Sequence, residues 1–353
     1  MQTISIEMNF LSIFAFITFF IFLAVSKLSH KINNGMLLDN DFLKPQSFHQ
    51  NAVPRSGGLA SIISLSLFYI IFYILFSKIL FEYIFVGMSL FAIGYLDDLK
   101  LKISPSSRLF LMIFFLLLLI VLLPIKIENI DLTFLNSWMN SFIFSSLFTL
   151  LCFLFIVNGA NLIDGFNGLL TINLIIINSV LLFINLNNNH HELSFFITAQ
   201  IIVLITFLLF NFPNAKIFLG DSGSYLFGSL ISLNTIATNN LNPHLSSFFF
   251  CILLFYLFFE VFFSFLRKIY QNKSPVHPDT EHLHMLSFQQ ISKVFDKIKG
   301  NYINSLLINF VFLCLVLPSI FFADNSLVCK YWFFSLILVY SLFYIRLYRL
   351  TKN

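Results

Sequence analysis

Charge is what this sequence has least of. Only 10% of its 353 residues are Asp, Glu, Lys or Arg, against 58% hydrophobic residues. Soluble domains carry about 25% charged residues, so the shortage excludes a chain built to fold in water. The net charge of +4 is small, and nucleic acid is not an expected partner. Cysteine is scarce as well. Cys152, Cys251, Cys314 and Cys329 form no CxxC pair, and three of them sit inside apolar runs. That excludes a disulfide framework or a thiolate metal site, and leaves the four as small apolar fillers. The first apolar run has no basic start and no small-residue cleavage site, and it carries Glu7. It therefore reads as a membrane span and not as a cleaved signal peptide. No internal repeat is evident.

Long apolar runs are abundant. Residues 109–125, "LFLMIFFLLLLIVLLPI", are long enough to cross ~30 Å of hydrocarbon. Eleven such segments are expected, at 8–26, 58–76, 79–95, 108–125, 141–157, 168–186, 195–211, 222–238, 246–266, 302–323 and 330–348. The fold class is thus an all-α polytopic integral membrane protein with about 11 transmembrane helices, and residues 1–353 are expected to form a single transmembrane domain. One alternate set of connections is 27–57, 96–107, 158–167, 212–221, 267–301 and the C-terminal tail. With their boundary residues these hold 17 of the 20 Lys and Arg, leaving Lys78, Lys126 and Lys330 to the other set. Basic loops stay inside. The N-terminus is therefore expected outside, with the C-terminus and those five loops cytoplasmic.

The unusual polar clusters fall on that same side. They are "PRSGG" at 54–58, "DDLK" at 97–100, "NGANLIDGFNG" at 158–168, "FNFPNAKIFLGDSGS" at 210–224 and "SPVHPDTEHLH" at 274–284. Adjacent carboxylates such as Asp97 and Asp98 repel, a cost that suits a site where a cation or proton sits between them. They also lie at a helix C-terminus, where negative charge is unfavourable. Glycine flanks Asp221 closely, and a helix start beside it attracts phosphate oxygens. His277, His282 and His284 have no evident fourth zinc ligand. With Arg267, Lys268 and Lys273 near them, they read as a phosphate-binding patch. Glu260 lies inside the ninth span, where a carboxylate is functional by default. Carboxylates with Asn and no thiolate suit a hard cation, Mg2+ or Mn2+. A phosphate site at a membrane surface suggests one substrate from the cytosol and one from the lipid. A transporter with a cytoplasmic-side ion site is the alternative, but it would carry its polar groups near the midplane, often in two related halves.

The ordered series "HQNAVPRSGG", "GYLDDLK", "NGANLIDGFNGL", "FNFPNAKIFLGDSGSYLFG" and "SPVHPDTEHLHM", over residues 49–286, resembles the polyprenyl-phosphate N-acetylhexosamine-1-phosphate transferases, glycosyltransferase family 4. This group includes the bacterial undecaprenyl-phosphate N-acetylglucosamine-1-phosphate transferases. Its histidine pattern is more similar to the transferases of O-antigen and teichoic acid synthesis than to the peptidoglycan translocase, and Met285 stands at the last position of the usual His-x-His-His run. The family often has Asp where this chain has Glu260. The resemblance implies transfer of a sugar 1-phosphate from a UDP-N-acetylhexosamine to undecaprenyl phosphate, with release of UMP. It implies a multi-pass enzyme of the bacterial inner membrane that needs Mg2+ or Mn2+, starts a cell-surface glycan such as lipopolysaccharide O-antigen, and can form a homodimer. Carried onto this sequence, Asp221, Asn161 and Asp98 are the expected metal ligands. Asp97 would position or deprotonate the lipid phosphate, and Asp97, Asp98 and Asp221 form the catalytic set. Asp164 and Asn167 would line the nucleotide or sugar pocket, while Arg55, Lys100, His282 and His284 would hold phosphates. The second pKa of a phosphate monoester is ~6, so direct attack by an already ionised lipid phosphate is favoured over a covalent aspartyl-phosphate route.

Overall fold

The structure is a computed structural model. It describes residues 2–29, 31, 35–39, 52–101, 103–123, 125–128, 130–274 and 279–352, and residues 2–8 by backbone alone. Lys44, Lys102 and His277 lie outside the described residues.

Fourteen α-helices are described. In chain order they are α1 (Gln2–Leu28), α2 (Gly57–Phe76), α3 (Phe81–Asp98), α4 (Pro105–Leu122), α5 (Thr133–Met139), α6 (Phe142–Ile163), α7 (Leu169–Asn187), α8 (His191–Asn211), α9 (Gly220–Leu241), α10 (Ser247–Leu253), α11 (Phe255–Tyr270), α12 (Leu283–Ile291), α13 (Lys297–Val316) and α14 (Ser326–Lys352). A two-residue antiparallel ladder joins β1 (Leu38–Asp39) to β2 (Val53–Pro54). The all-α reading therefore holds apart from this small feature.

Each expected span falls on helix, with ends displaced by a few residues. Eight helices among the described residues are long and apolar enough to cross a membrane, or nine if α10 and α11 are taken as one span. Of the eleven expected spans, α3 and α9 are the two that do not meet that standard. α3 carries Glu82, Asp97 and Asp98 in 18 residues. α9 is rich in Ser, Thr and Asn, and 18 of its 22 residues are buried. It packs against α2, α3, α6 and α7, so its side chains face protein and need not be lipophilic. Inside the bundle Asn234 donates to Asn178 at 3.0 Å and to Gln200 at 2.9 Å, and Asn185 donates to Thr238 at 2.8 Å. Interhelical amide bonds of this kind hold helices together where lipid supplies no hydrophobic drive.

Three expectations change. The single span expected at 246–266 is broken at Leu254, and its halves bend by 78°. No proline or glycine marks the break. The halves have different partners, α10 packing on α14 and α11 on α6. Next, α6 runs on to Ile163, so Asn161 stands on the helix and not in a 158–167 loop. Finally, α5 and α12 are short helices in stretches expected to be connections.

Candidate active site

The acidic pair at the end of α3 meets the start of α9. Asp98 is buried, at 1% exposure. Its Oδ1 accepts the backbone N–H of Asp221 and its Oδ2 that of Ser222, each at 3.0 Å. These are orphan amides of the first turn of α9, and a carboxylate there meets both the hydrogen-bonding need and the helix dipole. The approach is close. Gly220 has φ +78°, and a Cβ on it would lie 2.5 Å from Asp98 Oδ2. A Cβ on Gly94, one turn before Asp98, would lie 2.4 Å from the carbonyl of Asp221. Only glycine fits at either place.

Asp97 points elsewhere. Nη1 of Arg108 donates to Asp97 Oδ2 at 2.9 Å and to Asp221 Oδ2 at 2.7 Å, bridging the two carboxylates. Arg108 is delivered by the first turn of α4, where Ser104 caps the helix and Pro105 opens it, a favourable start on both counts. Arg55 comes from the strand that leads into α2. It donates to Asp39 Oδ2 at 2.7 and 3.1 Å, and its Nη1 lies 3.8 Å from Asp98. That strand is pinned beside the approach to α9: Phe218 donates its N–H to Pro54 at 2.9 Å, and Gly57 donates to Phe218 at 2.9 Å.

Charge in this corner is unbalanced. Asp97, Asp98, Asp164 and Asp221 influence one another, with Arg55 and Arg108 among them. Burial, then the charge of Asp221, raise Asp98 to about 7 against the pull of Ser222 and Arg55. Burial, then Asp221, raise Asp97 to about 6 against Arg108 and Arg55. Burial, then Asp221 and Asp98, raise Asp164 well above the ordinary carboxylate range. Burial opposes the charge of Arg55, yet Asp39, Asp98 and Asp221 outweigh it and its pKa stands above the usual arginine value. Such a cluster has room for added positive charge.

The donor set suits a hard divalent cation, being all oxygen, and two of its carboxylates already meet around one cationic nitrogen. Among the described residues no group of three His, Cys, Asp or Glu side chains could hold a metal ion. Mg2+ is often held by one or two carboxylates, with water and substrate phosphate completing its shell. Of the three expected ligands, Asp221 faces the shared space. Asp98 is engaged by the amides of α9, and Asn161 donates to Ser224 Oγ at 3.0 Å.

Comparison with known proteins covers the same helices. The profile of glycosyl transferase family 4 matches residues 80–239, which run from α3 into α9. The undecaprenyl-phosphate alpha-N-acetylglucosaminyl 1-phosphate transferase of Thermotoga maritima is 29% identical over 252 residues, covering 69% of this chain and 71% of that one. The chain is similar to glycosyl transferase family 4 over these residues. A phospho-N-acetylmuramoyl-pentapeptide-transferase of Clostridium botulinum is 30% identical over 215 residues, 58% of this chain and 65% of that one. The enzyme of the same name from Dictyoglomus thermophilum is 28% identical over 285 residues, 74% and 86% respectively. The match to the Clostridium botulinum enzyme thus spans slightly less than two thirds of that relative's length.

The remaining expected residues fall into two groups. Asp164 caps the end of α6. Asn167 ties down the turn that follows: its N–H is accepted by Asn301 at 2.9 Å, and its side chain donates to the Pro213 carbonyl at 2.8 Å. Lys100, exposed and with φ +58°, donates to the Leu38 carbonyl at 2.8 Å. His282 and His284 form a second centre. Both are buried, and their rings stack with centroids 5.4 Å apart. His282 Nδ1 lies 3.2 Å from Glu260 and its Nε2 lies 3.3 Å from Asp279. Glu260 also accepts the Leu283 N–H at 3.0 Å and the Tyr340 hydroxyl at 2.5 Å. Arg267 donates to Asp279 at 2.6 Å. Burial pushes the His284 imidazole down to about 4 despite Glu260 nearby, so it is neutral at pH 7. Burial works against the Asp279 charge, but His282 and Arg267 hold it below the usual range. The two centres touch where Phe166 meets the His284 ring, centroids 5.8 Å apart.

Arg108 is the residue that sequence reasoning missed. Its only signal was a lone cation at a span entrance, eleven positions after Asp97. Asp279 lies inside the 274–284 polar stretch but was not chosen from it, and Tyr340 carried no signal of its own.

Proposed function

We propose that this chain transfers an N-acetylhexosamine 1-phosphate from a UDP-sugar to undecaprenyl phosphate at the cytoplasmic face of a bacterial inner membrane, releasing UMP and starting a cell-surface glycan such as lipopolysaccharide O-antigen. The observation that carries the reading is the Arg108 bridge between Asp97 and Asp221. It puts two carboxylates from distant spans around one cationic point, where a diphosphate and its counter-ion would be received. The Thermotoga maritima relative, whose name carries undecaprenyl-phosphate N-acetylglucosaminyl 1-phosphate transfer, supports the reaction class. The short run His282-Leu-His284-Met285 favours the glycan-initiating branch over the peptidoglycan one. The excess of Lys and Arg in one set of loops supports the orientation. Helices of 18 and 22 residues, α3 and α9, are ~27 and ~33 Å long and would complete eleven spans.

In this mechanism an oxygen of the lipid phosphate, already ionised, forms a bond to the phosphorus that bears the sugar. The bond from that phosphorus to the bridging oxygen breaks, and the electron pair leaves on UMP. No proton transfer is required. Asp97 and Asp221 would hold Mg2+, which supplies neutralisation of the diphosphate. Arg108 can pass from carboxylate to phosphate oxygens without leaving the site, and Arg55 adds a second fixed cation. Asp98 keeps the start of α9, and so Asp221, in place. Asp164 and Asn167 shape the pocket for the nucleotide sugar, beside the His282–His284 segment.

The test uses membranes containing the chain, Mg2+, undecaprenyl phosphate and a panel of UDP-N-acetylhexosamines labelled in the uridine. Labelled UMP should appear only with the lipid phosphate present, and EDTA should stop it. No lipid-dependent UMP from any member of the panel would sink the reading.

A further inference from the structure

The α13 helix has a polar face that the chemistry above does not use. Asn301, Asn304, Ser305 and Asn309 follow at spacings of three, one and four, which places them on one side of a helix. Asn301, Asn304 and Asn309 are buried, at 6%, 0% and 2% exposure. Amides inside an apolar span are costly and mark a task. Here the task is divided. Asn301 Oδ1 accepts the backbone N–H of Asn167 at 2.9 Å. Asn304 Nδ2 donates to the backbone carbonyl of His284 at 2.9 Å. Asn309 Nδ2 donates to the Leu169 carbonyl at 3.0 Å and to Ser305 at 2.9 Å, within the helix packing. A backbone N–H can only donate and a carbonyl can only accept, so the partners fix which end of each amide is used.

We infer that Asn301 and Asn304 are positioning residues: as neighbouring sites on one rigid helix, they set the separation between the Asn167 turn and the His284 segment, and with it the shape of the nucleotide-sugar pocket. Neither touches the carboxylates of the Arg108 bridge. The two segments come from distant parts of the chain, one after α6 and one at the start of α12, and meet through Phe166, which packs on the His284 ring at 5.8 Å and on Phe288 at 5.1 Å between centroids. Two directional hydrogen bonds to one helix face remove the sliding that ring contacts alone permit. The inference rests on the transfer reading for its substrate, and on the hydrogen bonds alone for its geometry.

The experiment compares Asn301→Leu, Asn304→Leu and Asn309→Leu, with Asn301→Asp as rescue. Leucine is close to asparagine in shape and suits a membrane span, so these variants should fold. Asn301→Leu and Asn304→Leu should each raise KM for the UDP-sugar about five- to tenfold, the worth of one hydrogen bond, with kcat within about twofold. Asn309→Leu should leave KM unchanged. Asn301→Asp keeps the acceptor and should restore KM. Hydrogen exchange supplies the second arm: the Asn167 amide should exchange faster in Asn301→Leu and not in Asn301→Asp. Equal KM in all three leucine variants, or an unchanged Asn167 amide in Asn301→Leu, overturns the inference. Activity that merely follows a lowered melting temperature also overturns it. A wild-type chain that releases no UMP defeats the transfer reading, while the exchange arm still decides the geometry.

Discussion

Asp98 holds Asp221 by its backbone: Oδ1 of the first accepts the N–H of the second at 3.0 Å, across the junction of α3 and α9. The adjacent acids of α3 therefore do different work. One fixes a helix start, and the other faces the space where Arg108 sits.

Replacing Asp98 tests that division. Asn at this position presents an N–H2 toward one of two backbone donors, leaving a buried amide unpaired at a cost of about 1–3 kcal/mol. Asp98→Asn should lower the melting temperature of the detergent-purified chain and remove activity. Asp97→Asn should remove activity with little change in melting. Differential scanning fluorimetry beside a UMP-release assay reads both.

Gly220 tests the same junction from the other side. With φ +78° and Asp98 Oδ2 at 2.5 Å from its would-be Cβ, Gly220→Ala pays about 1–2 kcal/mol of backbone strain before the carboxylate moves. Activity and melting temperature should both fall. Gly165→Ala has nothing within 4 Å of its Cβ and should melt as wild type does.

Arg108 is expected to matter as much as the acids. Without it Asp97 and Asp221 face each other unbridged. Arg108→Ala should cut turnover about 10²-fold, the scale for losing one preorganised charge partner. Arg108→Lys keeps the charge but loses the fork, and should fall between the two. Initial rates at saturating UDP-sugar provide the comparison.

Acid should weaken the His282–His284 centre. The folded value for His284 is about 4, against 6.5 for the free side chain, so the unfolded chain binds its proton first. Stability from this group is full above about 6.5 and is lost as pH falls toward 4, an effect on the order of 3 kcal/mol. Asp279, held below its ordinary range, acts in the same direction. Tyr256 and His282 contact the His284 ring, and Glu260, His282 and Asp279 act on it by charge. Asp97 and Asp98, raised on folding, act in the opposite direction, so the wild-type slope alone mixes the two. His284→Gln should flatten the fall in melting temperature between pH 7 and pH 5, and an unchanged slope in that variant would contradict the assignment.

Much of this was legible in the residue string. Runs of Leu, Phe and Ile dictate membrane helices through local hydropathy, and all eleven expected segments are helical. The polar motifs announced themselves because charge is so rare elsewhere. What the string could not disclose is which end of which helix meets which. Asp97 and Asp98 are alike in sequence, and only the arrival of α9 buries one and leaves the other beside Arg108. The bend at Leu254 has no local cause, because it arises from α10 and α11 packing on different neighbours. Even the polarity of α9 made sense only once it lay inside the bundle. Transfer into lipid is a sum over neighbouring residues, so sequence alone determined the helices. A carboxylate's partner is set by contacts between segments far apart in the chain, and those the tertiary structure decided.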